Sequence, residues 1–278
     1  MNNADAIAAW NTVLFDKFVT YRPLLVEGLG SHGARAIERV GPMRGERVVD
    51  LGCGFGDTTI ELARRTGSAV GLDAAARFIE VARDEARDVP GASFLLADLE
   101  AVVPGGPYDL AFSRMGTMFF SNPVRALRNV REVLVPGGRL CMVVWRSKAA
   151  NECMAVAEAA VRARLGERDK GDYLTCGPGP FSMASPDVVS EQLVAAGFRE
   201  IAFERSDADI TIGATLDAAV AFALDMGPAG ELVRLAGEEG VARRGELEAV
   251  IREALGPFVT DGGVRAGSST WIVTARKA

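Results

Sequence analysis

The chain has 278 residues, 49% of them hydrophobic, and a formal net charge of −6, which suits one large or two small globular domains. No apolar run approaches the roughly 20 residues that cross a bilayer, and the N-terminus lacks the basic and apolar regions of a secretory signal, so we expect a cytoplasmic protein. The acidic balance disfavours a nucleic-acid partner, because such a surface repels phosphate backbones on average.

The chain begins with two predicted helices and continues as an alternation of strands and helices. Residues 5–21 carry apolar side chains at helical spacing, and residues 33–40 form a second helix before Gly41 and Pro42. Strands are predicted at 47–52, 68–73, 92–98, 108–114 and 139–146, and helices at 57–66, 74–88 and 122–135. Short apolar strands separated by helices predict an α/β fold with a doubly wound, mostly parallel sheet.

The second half of the chain is less regular. Residues 151–167 are predicted as a helix, 176–186 as a loop, 186–196 as a helix, 200–213 as a long strand, 215–258 as mainly helical and 269–277 as the last strand. No linker divides the chain, so we expect a single domain over 1–278. It would comprise an N-terminal helical lid (1–40), a cofactor-binding core (41–146) and a C-terminal half (147–278) whose helical insertions shape an acceptor pocket.

The turn after the first strand predicts a nucleotide-cofactor site. Gly52, Gly54 and Gly56 are spaced GxGxG, and strand, glycine turn and helix bring backbone N–H groups and a helix N-terminus toward a ligand. The dinucleotide pattern GxGxxG requires a third glycine where this chain has Asp57, an acid that would repel a pyrophosphate. S-adenosylmethionine has no phosphate, and its sulfonium and ammonium groups tolerate Asp50 and Asp57 nearby. The turn therefore favours that cofactor over NAD.

Two further acids end the next strands. Asp73 follows the second strand, where a carboxylate can accept hydrogen bonds from ribose hydroxyls. Asp98 ends the third strand and can accept the adenine amino group, with Leu72 and Leu99 offering apolar surface to the ring. A lone acid at such a position is more often a helix cap or turn residue, but three at successive strand ends favour a ligand site.

Taken together, these motifs resemble those of a known protein family. The runs "VVDLGCGFG", "GLD", "LLADLE", "YDLAFSRMGTMFF" and "VREVLVPGGRLCMVVW" resemble the class I S-adenosylmethionine-dependent methyltransferases, and within them the methyltransferase-domain group that includes quinone-biosynthesis C-methyltransferases. The resemblance covers about residues 40–145 by motif. It implies a Rossmann-like sheet of about seven strands with an antiparallel last strand, S-adenosyl-L-methionine as cofactor, S-adenosyl-L-homocysteine as product and a small-molecule acceptor.

The resemblance also implies roles for individual residues. The glycine turn would hold the methionine moiety with Asp50 near its ammonium, and Ser113 would lie where backbone contacts to the cofactor are usual. An NPPY-type tetrapeptide, typical of adenine and glutamine-amide N-methylation, is replaced by "FSRMG". The cofactor-binding residues predicted in this way are Asp50, Gly52, Gly54, Gly56, Asp73, Ala74, Asp98, Leu99 and Ser113.

Several other residues have alternative interpretations. His32, the only histidine, is either a general base or an exposed loop residue between glycines. Arg22 and Arg114 are candidates to pair with a carboxylate of the cofactor or the acceptor, although surface solvation is more common. The N-terminal aromatics form either a movable lid or an ordinary packed helix face, and residues 115–120 either contact an acceptor or pack in the core. The aromatics are Trp10, Phe15, Phe18 and Tyr21.

No metal site is predicted. Cys53, Cys141, Cys153 and Cys176 show no CxxC spacing, and only His32 could join them as a soft ligand. The chain leaves three classes open, namely a small-molecule methyltransferase, a non-catalytic S-adenosylmethionine-binding regulatory protein and an NAD-dependent oxidoreductase. Asp57 and the absence of a Tyr-x-x-x-Lys pair disfavour the last. Oligomeric state, acceptor and methylated atom are not determined by these residues.

Overall fold

The structure, a computed structural model, describes residues 3–166 and 179–278, which form a central sheet covered by helices. The strands are β1 (Val48–Leu51), β2 (Ala69–Asp73), β3 (Ala92–Leu96), β4 (Tyr108–Arg114), β5 (Leu134–Trp145), β6 (Phe198–Gly213), β7 (Val259–Thr260) and β8 (Gly263–Lys277). Their order is β3-β2-β1-β4-β5-β8-β6, with the short β7 paired to β8. Strands β1 to β5 run parallel, and β8 is antiparallel to both β5 and β6.

Twelve α-helices occur in the described part of the chain. They are α1 (Asn3–Trp10), α2 (Val13–Thr20), α3 (Gly30–Val40), α4 (Asp57–Thr66), α5 (Ala76–Glu85), α6 (Pro123–Glu132), α7 (Glu152–Leu165), α8 (Pro186–Ala196), α9 (Leu216–Asp225), α10 (Pro228–Leu235), α11 (Glu238–Ala242) and α12 (Arg244–Leu255). A π-helical turn (Leu24–Gly28) joins α2 to α3.

Local sequence explains where these elements begin and end. All four residues of β1 are buried, as expected for a strand covered on both faces. Helix α6 begins after Asn122, whose side chain accepts a hydrogen bond from the Arg125 N–H, and has Pro123 at its first position. Glycines in the left-handed conformation end α3, α4 and α8, at Gly41, Gly67 and Gly197.

The apolar residues form separate cores. Two of them lie at the sheet, and their members include Leu51, Met142 and Leu193 in one and Leu62, Phe112 and Ile272 in the other. A third core lies among α7, α9, α10 and α12 and the ends of β6 and β8. The C-terminal helices are therefore a packed layer with a core of their own, which we call the roof.

The Rossmann-like α/β fold with an antiparallel last strand is confirmed, with local corrections. The helix predicted at 5–21 is two helices, because the side chains of Asn11 and Thr12 hydrogen-bond to the carbonyls of Ile7 and Ala8 at a turn. Strand β5 begins at Leu134, before the predicted turn, since Leu134 already pairs with Tyr108. The predicted loop at 176–186 lies partly outside the described residues, as does Cys176.

Within residues 3–166 and 179–278, no helix combines the length and apolar character needed to cross a membrane. Over the same residues, no three side chains of His, Cys, Asp or Glu lie close enough together to hold a metal ion. Cys53, Cys141 and Cys153 are free and buried.

Candidate active site

A cavity of about 400 Å³ lies at the carboxyl ends of β1 to β4, where doubly wound sheets bind their ligands. Its floor is formed by the loops after these strands, with residues 52–55, 57, 73–74, 97–100, 114–116 and 118–120. The N-terminal helices cover it, and the roof closes the far side. On that side the lining includes Cys153, Met154, Ala157, Phe222 and Asp225 of the roof, together with Trp145 of β5 and Ile210 and Ile212 of β6. The cavity therefore joins the glycine turn to an apolar chamber.

The three glycines of the turn have two different tasks. All three have positive φ values, 68° at Gly52, 52° at Gly54 and 87° at Gly56. Gly52 and Gly54 line the cavity, and a Cβ on Gly52 would come within 3.0 Å of the Gly116 Cα. Gly56 does not line it, and a Cβ there would lie 2.8 Å from the Phe94 ring. Gly56 thus allows α4 to pack against the sheet, and Gly52 allows the turn to approach Gly116 closely. Gly54 lines the cavity with backbone alone, so a ligand can approach the main chain there.

Asp73 lies in the cavity wall and orders the glycine turn. Its carboxylate accepts hydrogen bonds from the N–H groups of Gly54 (3.0 Å) and Ala75 (2.9 Å). Burial raises the pKa of Asp73, and these backbone N–H groups oppose the rise. Each carboxylate oxygen can accept a second hydrogen bond, so Asp73 retains the capacity to bind ribose hydroxyls. Ala74 lines the cavity beside it.

Asp98 and Leu99 lie at the next strand end, on the same side of the cavity. The Asp98 carboxylate accepts hydrogen bonds from the Glu100 N–H (2.9 Å) and from the Asn3 side chain (2.7 Å). Helix α1 is thereby tied to the floor. A carboxylate and an apolar side chain at this position are compatible with a polar, aromatic base such as adenine.

Asp50 and Ser113 lie behind the cavity and do not line it. The buried Asp50 carboxylate accepts a hydrogen bond from the Thr59 hydroxyl (2.7 Å), and burial raises its pKa to about 6. The Ser113 hydroxyl donates to the Leu51 carbonyl oxygen (2.7 Å). Both side chains hold β1 in place, so a direct contact between Asp50 and an ammonium group stays a prediction that this arrangement does not favour.

The two arginines singled out in the sequence differ in environment. Arg22 pairs with Asp57 (3.4 Å) and Glu85 (2.9 Å), and its guanidinium lies over the Phe55 ring. Arg114, at the end of β4, lines the cavity beside the glycine turn. The next residue, Met115, has a positive φ of 61°, which is unusual outside glycine and marks a strained position.

The N-terminal aromatics are divided between cavity and core. Trp10 and Phe18 line the cavity and contact each other at 5.1 Å between ring centroids, while Phe15 packs on Phe78 at 4.9 Å. Tyr21 reaches the roof, where its hydroxyl donates to the Asp225 carboxylate (2.6 Å). Burial and this carboxylate raise the pKa of Tyr21. We call residues 3–29 the lid, because they cover both halves of the cavity.

His32 is buried and lies outside the cavity lining, in contrast to the exposed loop position that one interpretation predicted. Its Nε2 lies 2.8 Å from the Ser268 hydroxyl, and its Nδ1 lies 3.0 Å from the Ser206 hydroxyl. Burial and the charge on Arg35 lower the pKa of His32 to about 4. The general-base role stays a prediction, and no contact with the cavity supports it.

The roof residues were not predicted individually. The sequence indicated only that helical insertions of the C-terminal half (147–278) shape an acceptor pocket, because a helix face that lines a cavity has the same apolar spacing as one that packs in a core. Asp225 is the only charged residue among the described roof residues of the cavity. Burial raises the pKa of the Cys153 thiol to about 12, so this cysteine is a neutral apolar wall.

The sequence and fold match known methyltransferases. Residues 48–138 match the family described as "Methyltransferase domain". Aklanonic acid methyltransferase DauC of Streptomyces sp. is 35% identical over 127 residues, covering 44% of this chain and 58% of that protein. The ubiquinone/menaquinone biosynthesis C-methyltransferase UbiE of Pseudomonas savastanoi is 29% identical over 189 residues, covering 63% and 73% of the two chains.

The structure of a phosphoethanolamine N-methyltransferase 2 from Haemonchus contortus, in complex with S-adenosyl-L-methionine, superposes with a TM-score of 0.51. It is 16% identical and covers 88% of this chain and 52% of that one, a likeness of fold alone. The matching family segment contains the glycine turn and both strand-end acids, so the predicted family and its cofactor are confirmed. Residues 48–138 are thus similar to the methyltransferase-domain family, and the chain resembles S-adenosylmethionine-dependent methyltransferases in sequence and fold.

Proposed function

We propose that the protein methylates a small, largely apolar acceptor that binds under the roof. The observation that carries this proposal is the single cavity, which joins the cofactor residues Gly54, Asp73 and Asp98 to an apolar chamber. Aromatic side chains, Trp145 and Phe222, contribute to the described wall of this chamber. They favour a quinone-like or other aromatic acceptor over a charged one.

The cavity residues are compatible with the cofactor. Gly52 and Gly54 line the cavity with backbone and no side chain, and Asp73 and Asp98 offer acceptors for hydroxyl and amino groups. S-adenosylmethionine supplies an electrophilic methyl group on a sulfonium. The residues of this chain then have two tasks, which are to hold the acceptor in line and to exclude water.

The lid performs the second task. Trp10 and Phe18 cover the floor, and Tyr21 and Lys17 hydrogen-bond to Asp225 of the roof, so the lid shields part of the chamber from solvent. Positioning alone can lower the activation barrier by up to roughly 7–11 kcal/mol in favourable cases. A reaction of this kind therefore needs no catalytic dyad. Where the acceptor must lose a proton, Asp225 is the roof group of the described cavity that can take it.

The proposal is tested in two steps on the full chain. Calorimetric titration with S-adenosylmethionine, S-adenosylhomocysteine and NAD(H), after removal of any co-purified ligand, is expected to show binding of the first two only. An acceptor panel of matched pairs, each a neutral aromatic and its carboxylated analogue, then follows formation of S-adenosylhomocysteine. We expect turnover with neutral members.

Each step has an outcome that contradicts the proposal. Binding of NAD(H) alone would refute the methyltransferase assignment. Cofactor binding without turnover across the panel would favour the regulatory binding protein instead. A preference for the carboxylated members would refute the apolar acceptor while leaving methyl transfer intact.

A further inference from the structure

Arg114 is a cation in the cavity wall without a carboxylate partner among the described residues. Its one hydrogen bond there runs from Nη1 to the Val26 carbonyl oxygen at 3.4 Å, near the upper limit for such a bond. A guanidinium has five N–H donors, and burial lowers the pKa of Arg114, while the charges of Asp57 and Asp50, neither of them in direct contact with it, oppose the fall. A cation held at this cost within a ligand cavity indicates an anionic ligand group.

The backbone on both sides of Arg114 fixes its place beside the glycine turn. Met115 has a φ of 61°, and Gly116 lies so close to Gly52 that a Cβ on either would come within about 3.1 Å of the other's Cα. On the opposite side, a Cβ on Gly33 would lie 2.8 Å from the Arg114 Cδ. The side chain is therefore confined between α3 and the turn.

The two cations that line the described cavity lie at different ends of it. Lys17, the other cation of the described lining, donates to the Asp225 backbone oxygen (2.7 Å) on the acceptor side. Asp57, at the first position of α4, lines the cavity, and its charge acts on Arg114. A positive and a negative group thus lie together at the glycine turn, and they match the carboxylate and the ammonium of an amino acid.

We propose that Arg114 binds the α-carboxylate of the cofactor's methionine moiety and thereby selects S-adenosylmethionine over its decarboxylated form. The inference rests on the proposed function, because it needs the cofactor to place its amino-acid end at the glycine turn. Arg114 is then a residue that determines which cofactor is bound. Because its charge is paired with the cofactor, it is not available to bind the acceptor.

Binding constants of S-adenosylmethionine and decarboxylated S-adenosylmethionine test the proposal, measured by calorimetry on the full chain. The wild-type protein is expected to prefer the carboxylated ligand by at least tenfold. In Arg114→Met, affinity for S-adenosylmethionine should fall about 10- to 100-fold, since a charge-assisted hydrogen bond is lost. Affinity for the decarboxylated ligand should stay within about threefold, so the preference disappears.

Two further variants separate recognition from charge and folding. Arg22→Met removes the same charge near the turn, but Arg22 does not line the cavity, so the preference is expected to remain. Gly33→Ala keeps the guanidinium but displaces it, and should reduce the preference. Ligand-free thermal unfolding of each variant verifies that it is folded.

The outcomes are distinguishable. Equal losses for both ligands in Arg114→Met, or an unchanged preference, would overturn the role of Arg114 while cofactor binding by the wild type still supports the proposed function. A wild-type protein that binds neither ligand would overturn both proposals.

Discussion

At the scale of single residues, the position of His32 decides whether catalysis depends on its protonation. The ring is buried among the hydroxyls of Ser206, Ser268 and Thr270, and no part of it lines the cavity. We expect His32→Gln to leave the shape of the kcat/KM profile unchanged between pH 6 and 9, although its lost hydrogen bonds will lower stability by about 1–3 kcal/mol. Loss of one limb of that profile would instead restore the general-base role.

Asp50 is expected to make stability depend on pH. Its carboxyl has a pKa of about 6 in the folded protein, above the usual value, so the folded state binds a proton that the unfolded chain releases. The corresponding stability is present below about pH 4 and is lost as the pH rises through about 6. Asp50→Asn removes this loss.

Relative to wild type, Asp50→Asn should therefore gain about 3 kcal/mol of unfolding free energy between pH 4 and 7, from a rise of some two pKa units. Urea unfolding at several pH values measures the difference. Thr59→Val removes the hydrogen bond that stabilises the charged form, and should move the transition to higher pH. Parallel curves for wild type and Asp50→Asn would contradict the assignment.

At the scale of elements, the lid depends on a few contacts with the roof. Tyr21 donates to Asp225 and packs on the Phe222 ring at 5.2 Å. Tyr21→Phe removes the hydrogen bond but keeps the ring, which should cost about 0.5–1.5 kcal/mol of lid closure. Hydrogen exchange of residues 13–20 is expected to rise by about 2- to 10-fold, the equivalent of that free energy.

A matched control for Tyr21→Phe is Tyr108→Phe, which also removes one tyrosine hydrogen bond, to the Pro104 carbonyl oxygen, far from the lid. The rise in hydrogen exchange caused by Tyr108→Phe should be confined to the loop before β4. Equal exchange of residues 13–20 in both variants would show that the Tyr21–Asp225 contact does not hold the lid.

The sequence predicted those parts of the site that are local. Glycine spacing and strand-end acids pointed to Gly52, Gly54, Asp73 and Asp98, and these four residues line the cavity, because a strand and the turn after it place them there. The separate task of Gly56 depends on Phe94, which is 38 residues away, and the burial of His32 depends on β6 and β8. Contacts between residues so far apart in the sequence cannot be inferred from the spacing of residue types in one sequence.

At the scale of the whole molecule, the roof and the sheet have separate cores, so the acceptor wall can change without disturbing the cofactor floor. Met154 lines the chamber from α7, is only partly buried, and packs against both cores, so it tests their independence most severely. Met154→Trp should fill part of the chamber and lower kcat/KM for the acceptor at least tenfold, about 1.4 kcal/mol. The affinity for S-adenosylhomocysteine should stay within about twofold.

A matched control places the same tryptophan on the outer surface of the roof. Val241, in α11, is 77% exposed and does not line the cavity, so Val241→Trp should leave both constants unchanged. Initial rates and calorimetry measure the two effects. A parallel loss of acceptor and cofactor affinity in Met154→Trp would show that the two halves are energetically coupled.

The lid reaches both halves of the cavity, and this has a consequence for the order of events in turnover. Asn3 is bonded to Asp98 on the cofactor side, and Lys17 is bonded to Asp225 on the acceptor side, within one short segment. We therefore expect the release of either product to require movement of that segment. We expect lid opening to be the rate-limiting step of turnover, so that a rapid first cycle is followed by a slower steady state.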